Sequence, residues 1–246
     1  MEQKSKEWFD ARKGKWTASN LDCLLVKGKS ESTLGAGAIT LCYEKLAERM
    51  STETREFTSQ FTDWGIDHEK EAIEFFENNT LFEVDEVGFI NAPREPPKKK
   101  GGAGIVDNSP KLSLISGGSP DGLVVKDVAD DEGNQGRTVE GIIEVKCPHD
   151  PSIHLHTLIH KELHPKNAKK YYAQMQWNMY CTQTDVCYFI SYDPRMKKDE
   201  HKMVVLEIKR DDEHIELLKE RILLAEDYLQ GLKSQIETST TLEKQI

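Results

Sequence analysis

Apolar positions recur at helical spacing in several stretches of the chain. Residues 5–12 read as a short helix carrying Trp8, and Thr17-Ala18-Ser19-Asn20 sets hydroxyl and amide side chains just before Leu21, Leu24 and Leu25, as a helix start does. Ile39, Leu41, Cys42, Leu46 and Met50 form an imperfect stripe over 36–50. Ala72, Ile73, Phe75 and Phe76 mark a helix over 67–78 whose acidic first turn suits the helix dipole. Strand patterning then takes over: 81–91, 112–116, 122–126 and 139–145 read as strands, with a Pro/Gly/Lys loop at 92–110 and a polar hairpin loop at 127–138. Helices are expected over 153–163 and 169–181, strands over 186–192 and 203–208, and a long amphipathic helix over 211–236 with Ile215, Leu218, Ile222, Ala225, Leu229 and Leu232 on one face.

This order predicts an α/β fold with a central mixed β-sheet flanked by helices. One domain is expected over residues 1–236, followed by a polar, flexible tail at 237–246. No internal repeat breaks the pattern. No run of eighteen apolar residues offers a membrane span, and the N-terminal stretch lacks the apolar core of a signal peptide. The chain is therefore expected inside a cell, in cytoplasm or nucleus, and not secreted. Five scattered cysteines without a CxxC pair fit reduced intracellular thiols.

A formal charge of −10 argues weakly against nucleic-acid binding, but the charge is uneven. Residues 1–30 carry seven basic and four acidic groups, and 94–100 four basic and one acidic, while 63–86 holds nine acidic residues against Lys70 alone. Positive and acidic stretches alternate, as they must where phosphates and metal ions share one cleft; a solvated salt-bridge surface has the same pattern.

Chemistry concentrates in Ser119-Pro120-Asp121-Gly122 and Glu144-Val145-Lys146. Asp121 ends a tight turn as a strand begins, and Glu144 and Lys146 lie two apart in a strand, on one face. If these strands pair, an aspartate, a glutamate and a lysine converge. Two carboxylates are hard oxygen ligands suited to Mg²⁺, which acidifies a coordinated water, and the lysine can orient that water or offset charge on a phosphate. An ordinary hairpin with surface charges is the simpler alternative. Against it, Glu144 and Lys146 interrupt the apolar run Ile142, Ile143, Val145, and Pro120 and Gly122 frame the turn that aims Asp121.

On these residues the chain resembles the phage lambda exonuclease and YqaJ-type viral recombinase family of the PD-(D/E)xK nucleases. Further elements occur in that family's order: Arg12-Lys13-Gly14 with Thr17-Ala18-Ser19, Trp64-Gly65 with Glu69, Tyr171-Tyr172-Ala173-Gln174-Met175-Gln176, and Tyr192-Asp193-Pro194-Arg195-Met196-Lys197. The resemblance implies a restriction-endonuclease-like core and a metal-dependent deoxyribonuclease, with Asp121, Glu144, the Val145 carbonyl and Glu69 as metal ligands. Lys146 would be the catalytic lysine, and Gln174 would border the site. Arg12, Ser19, Ser119 and Tyr171 would contact DNA or its phosphates. Taken singly, Glu69 is one of many charges on a helix face, Gln174 and Tyr171 are ordinary structural residues, and Ser119 completes a turn. Arg195 and Lys197 could touch DNA or be solvated turn charges.

The resemblance further implies Mg²⁺, with Mn²⁺ substituting and two ions per site, and 5′→3′ digestion of double-stranded DNA ends, 5′-phosphorylated, to leave 3′ single strands for recombination. It also implies a homotrimer and a single-strand annealing partner. The rival readings are a structure-specific or sequence-specific endonuclease of the same fold, and a catalytically silent DNA-end-binding protein. Asp121 and Glu144 stand 23 positions apart, a long connection whose excess the 127–138 segment absorbs; the 92–104 loop is a further elaboration. The histidines at 149, 154, 156, 160 and 164 could ligate zinc, yet no Cys or carboxylate framework accompanies them.

Overall fold

A computed structural model describes residues 2–30, 33–52, 60–94, 109–129 and 135–243. Its main sheet has five strands, β2 (Glu83–Asp85), β5 (Gly122–Ala129), β6 (Gln135–Lys146), β7 (Val186–Tyr192) and β8 (Met203–Lys209), in the order β2-β5-β6-β7-β8. All neighbours are antiparallel except β6 and β7. A parallel pair needs a long crossover, and α5 (Pro151–His160) and α6 (Ala168–Thr182) supply it. A second sheet joins β1 (Trp16–Thr17), β4 (Ser116–Gly118) and β3 (Ile90–Asn91) in the order β1-β4-β3.

Alternation along β6 sorts its side chains between two layers. Ile143 and Val145 pack with Ala72 and Phe76 of α3 (Gln60–Asn78), together with Ile190 and Tyr192. Ile142 packs with Met175 and Met179 of α6 and with Phe189 and Leu206. Glu144 and Lys146 share the period of Ile142, so they emerge on the α6 side. The largest cluster lies on the far side of α6, where Trp177 and Tyr180 meet Trp16, Leu21 and Leu24, Leu41 and Leu46 of α2 (Ala36–Met50), and Ile215, Leu218, Ile222 and Leu229 of α7 (Asp212–Glu243).

The expected central mixed sheet and its flanking helices are present, as are α1 (Lys6–Arg12) and α2. Several local expectations are corrected. The helix start at Thr17 opens a 3-10 helix, Ala18–Leu25, and Thr17 makes no side-chain cap. Helix α3 begins at Gln60, so Asp67 lies well inside it and the dipole argument does not apply there. Stretch 81–91 divides into β2 and β3, because its first half pairs with β5 and its second with β4 of the other sheet. Residues 112–115 belong to α4 (Ser109–Ile115), where Pro110 sits in the first turn, and strand begins only at Ser116.

The 127–138 segment is mostly strand, not loop: β5 and β6 continue to the Ala129–Gln135 pair as an exposed ribbon. Polar residues are compatible with this because Arg137 bonds Asp85 at 3.1 Å and Glu83 at 2.7 Å, clamping strands by charge. Helix α7 continues to Glu243, past the expected end at 236. Most of the 92–110 loop lies outside the described residues. Among the described residues no helix is long and apolar enough to cross a membrane.

Candidate active site

The β5–β6 pairing brings Asp121 to the end of β6. The Asp121 amide donates to the Ile143 carbonyl at 3.1 Å, and Asp121 Oδ2 accepts from the Val145 amide at 2.6 Å. The carboxylate is thus fixed beside the Val145 peptide, and Lys146 Nζ donates to the Val145 carbonyl at 3.1 Å and to Glu144 Oε1. Glu144 has no exposed surface. Asp121, Glu144, Val145 and Lys146 therefore converge, as the spacing along the chain predicts.

Helix α6 completes the cradle. Gln174 Nε2 donates to Glu144 Oε1, and Asn178 Nδ2 donates to Glu144 Oε2 at 3.1 Å. Lys146 Nζ lies 5.4 Å from the centre of the Tyr171 ring, within cation–π range. Tyr171, Gln174 and Asn178 occupy positions i, i+3 and i+7 of one helix face. Asn178 is the residue sequence reading missed; its place one turn beyond Gln174 was the available signal. Gln176, in the same motif, ties α6 to the chain beyond β8: it donates to the Lys209 carbonyl at 2.9 Å and accepts from the Asp211 amide at 2.7 Å.

Electrostatics mark the cluster as short of positive charge. Burial pushes the Glu144 carboxyl above the usual range, with Lys146 opposing and Asp121 adding repulsion. Burial alone would lower Lys146, but Glu144 and Asp121 outweigh it and hold it as an ammonium. Glu69, on α3, is raised by burial and then by Asp121, while Lys4 at 3.3 Å pulls it down. Glu69 thus reaches the site from the opposite layer of the sheet. Burial raises the neighbouring Cys147 thiol to about 12, so it supplies no thiolate nucleophile.

Arg12 and Ser119 meet directly. Arg12 Nη1 donates to Ser119 Oγ at 3.0 Å, Trp8 Nε1 donates to the same oxygen at 3.1 Å, and the guanidinium lies 4.1 Å from the centre of the Trp8 ring. Burial lowers the Arg12 pKa to about 10, with Glu48 opposing, and still leaves it charged at neutral pH. Gln3 Nε2 donates to the Pro120 carbonyl at 2.7 Å, tying the N-terminal segment to the same turn. Strands β1 and β4 are parallel with Thr17 opposite Gly117, so Ser19 and Ser119 leave the small sheet at the same end. Ser19 Oγ lies 3.4 Å from Thr17 Oγ1.

Three other candidates are placed differently. Arg195 binds Asp193 through Nε at 2.8 Å, caps the carbonyls of Pro148 and His149, and stacks 4.5 Å over Trp64. It clamps the segment just after Lys146, and its donors are committed within the fold; Lys197 is exposed. His154 is a core histidine bonded to Ser191 Oγ and the His201 carbonyl.

Among the described residues no three His, Cys, Asp or Glu side chains form a ready-made metal cage, the histidines included. A hard cation that keeps waters needs only one or two carboxylates and the substrate's phosphates. The residues fit such an ion. Asp121 repels both Glu69 and Glu144, and the Val145 carbonyl adds an oxygen beside the Glu144–Lys146 pair. With both Glu144 oxygens held by N–H donors, the Lys146 ammonium offsets the charge in the free protein.

Several known proteins resemble this chain. The family model described as YqaJ-like viral recombinase domain matches residues 7–185. The alkaline exonuclease LHK-Exo of Laribacter hongkongensis is similar at 27% identity and TM-score 0.73, covering 96% of this chain and 98% of that one; its complex with dAMP matches equally. A phage related exonuclease from Haemophilus somnus 129PT shares the fold, at 17% identity, TM-score 0.61 and coverage of 93% and 99%. ExoD of Escherichia coli (strain K12) is 49% identical over 37 residues, 15% of this chain and 42% of that protein, so the match spans less than half of that relative.

Proposed function

The chain belongs to the YqaJ-like viral recombinase domain family, and on that basis we propose that it is a metal-dependent exodeoxyribonuclease. It digests double-stranded DNA from its ends, 5′ to 3′, and leaves 3′ single strands for recombination or DNA processing. The observation that carries this reading is the shared turn: Ser119, bonded to Arg12 and Trp8, lies two residues before Asp121, bonded to the Val145 amide. A charged, phosphate-matching group and the carboxylate cluster are thus held a fixed, short distance apart. An enzyme that measures from a terminal phosphate to the next phosphodiester needs that arrangement. The likeness to an alkaline exonuclease, solved also with dAMP, supports release of nucleoside monophosphates.

Asp121, Glu144, Glu69 and the Val145 carbonyl would hold Mg²⁺, with Mn²⁺ as a substitute and two ions per site. The metal would supply Lewis acidity at the scissile phosphate and lower the pKa of a water there. Lys146, released from Glu144 once a cation balances that carboxylate, would orient the attacking water and offset charge on the phosphate. The Tyr171 ring limits where its ammonium can go. Gln174 steadies Glu144. Arg12 holds the 5′-phosphate bidentately, with Ser119 and Ser19 donating hydroxyls. Residues 1–236 form a single nuclease domain; a homotrimer, an annealing partner and an intracellular location complete the reading.

The test compares linear duplexes with and without a 5′-phosphate against a closed circle, in Mg²⁺. Phosphorylated linear DNA should be degraded fastest and the circle left intact. Cutting of the circle would instead establish an endonuclease, and no metal-dependent hydrolysis at all would leave an end-binding protein.

A further inference from the structure

Asn178 is fully buried in the middle of α6, where an apolar residue would pack at no polar penalty. Its Nδ2 is the donor to Glu144 Oε2, at 3.1 Å, whereas Oε1 is shared by Lys146 and Gln174. Its Oδ1 is buried with no hydrogen-bond partner, and an orphaned polar atom of this kind is destabilising. A core position retains such a penalty when the other half of the side chain is needed. Gly118 explains where Oδ1 goes: a methyl at that position would collide with it, so β4 lies directly against the amide. Gly118 then leads into Ser119 and Asp121.

We infer that Asn178 is a positioning residue that fixes the plane of the Glu144 carboxylate and registers it against the Gly118–Asp121 turn. The inference rests on the metal-ligand reading of Glu144 proposed above. A carboxylate held at one oxygen can swing about its Cγ–Cδ bond. Held at both, from residues one helical turn apart on α6, it presents a single orientation to an incoming cation. When Lys146 leaves Oε1, Asn178 still grips Oε2, so Glu144 does not follow the ammonium. An aspartate at 178 would set a second buried negative charge against Glu144, and a leucine would leave Oε2 without this donor. The amide satisfies both constraints.

The test titrates the DNA-free protein with Mn²⁺ and follows the loss of the free-ion signal by electron paramagnetic resonance. Asn178→Leu should weaken Mn²⁺ binding ~10–100-fold, the usual effect of removing a group that orients a metal ligand. Its melting temperature should move little, because the lost donor and the removed orphan act in opposite directions. Asn178→Ala, which adds no volume near Gly118, gives the same reading should leucine not fold. Gly118→Ala alone should also weaken binding by pushing the amide off Glu144, yet should add nothing in the Asn178→Ala background, where the collision is gone. Unchanged Mn²⁺ affinity in Asn178→Leu or Asn178→Ala overturns the positioning role and leaves the metal reading intact. Failure of the wild-type protein to bind Mn²⁺ removes both together.

Discussion

Arg12 already has partners in the free protein that a phosphate would share: the Ser119 hydroxyl at 3.0 Å and the Trp8 ring at 4.1 Å. The ring covers one face of the guanidinium and leaves the edge of its fork for a planar bidentate contact. Hydrogen bonds to charged groups contribute ~1.5–3 kcal/mol. Arg12→Ala should therefore raise KM for 5′-phosphorylated duplex ends ~10–100-fold and leave hydroxyl-terminated ends nearly unaffected. Equal losses on both substrates would show that Arg12 does not read the phosphate. The convergence of Asp121, Glu144 and Lys146 was legible in the sequence, because period two and a framed turn are local features, whereas Arg12 was singled out by family resemblance. Asn178 was not: an asparagine inside a helix has no local signature, and its meaning comes from Glu144, 34 positions away. Arg195 stayed open between a DNA contact and a solvated turn charge, since its partners at Asp193, Pro148 and His149 become visible only once the chain is folded.

Elements were legible where one hydrophobic period served one layer. Strand β7 falls on the expected 186–192 span because both its faces are covered, by α3 and α6. Stretch 81–91 misled because one apolar run serves two sheets. How elements lock together was also hidden, and Glu226 is the clearest case. On α7 and only 2% exposed, it accepts from Arg49 of α2 at 2.8 Å twice, and from Trp16 of β1 at 2.8 Å. Glu226→Ala should reduce unfolding free energy by ~3–5 kcal/mol by leaving Arg49 without its buried counter-charge. Burial pushes the Glu226 carboxyl up, but hydrogen bonds from Arg49, Gln230 and Trp16 outweigh it and hold it below the usual range. The folded pKa is thus below the unfolded value of about 4.3. The linked stability is complete above that pH and is lost as pH falls through the folded pKa. Calorimetry below pH ~4.3 should show a steeper acid decline for wild type than for Glu226→Ala, and parallel curves would exclude the linkage.

Across the molecule, a net charge of −10 coexists with a DNA-facing function because charge is segregated. On the proposed reading the carboxylates that repel phosphate, Asp121, Glu69 and Glu144, are the groups that recruit a cation, with Lys146 bonded to Glu144 and Arg12 to Ser119 nearby. The two sheets meet at the Gly118–Asp121 turn, which ties Ser119, bonded to Arg12 of α1, to the Asp121, Glu144 and Lys146 cluster of the large sheet. In the proposed division of labour Lys146 acts in chemistry while other residues bind the DNA end. Single-turnover digestion of a 5′-phosphorylated linear duplex, with binding measured separately in Ca²⁺, separates the two roles. Lys146→Ala should bind the duplex within about threefold of wild type and hydrolyse it at least ~10²-fold more slowly, the least expected of a positioned proton-transfer or charge-stabilising group. Undiminished hydrolysis by Lys146→Ala would refute the catalytic role of the lysine.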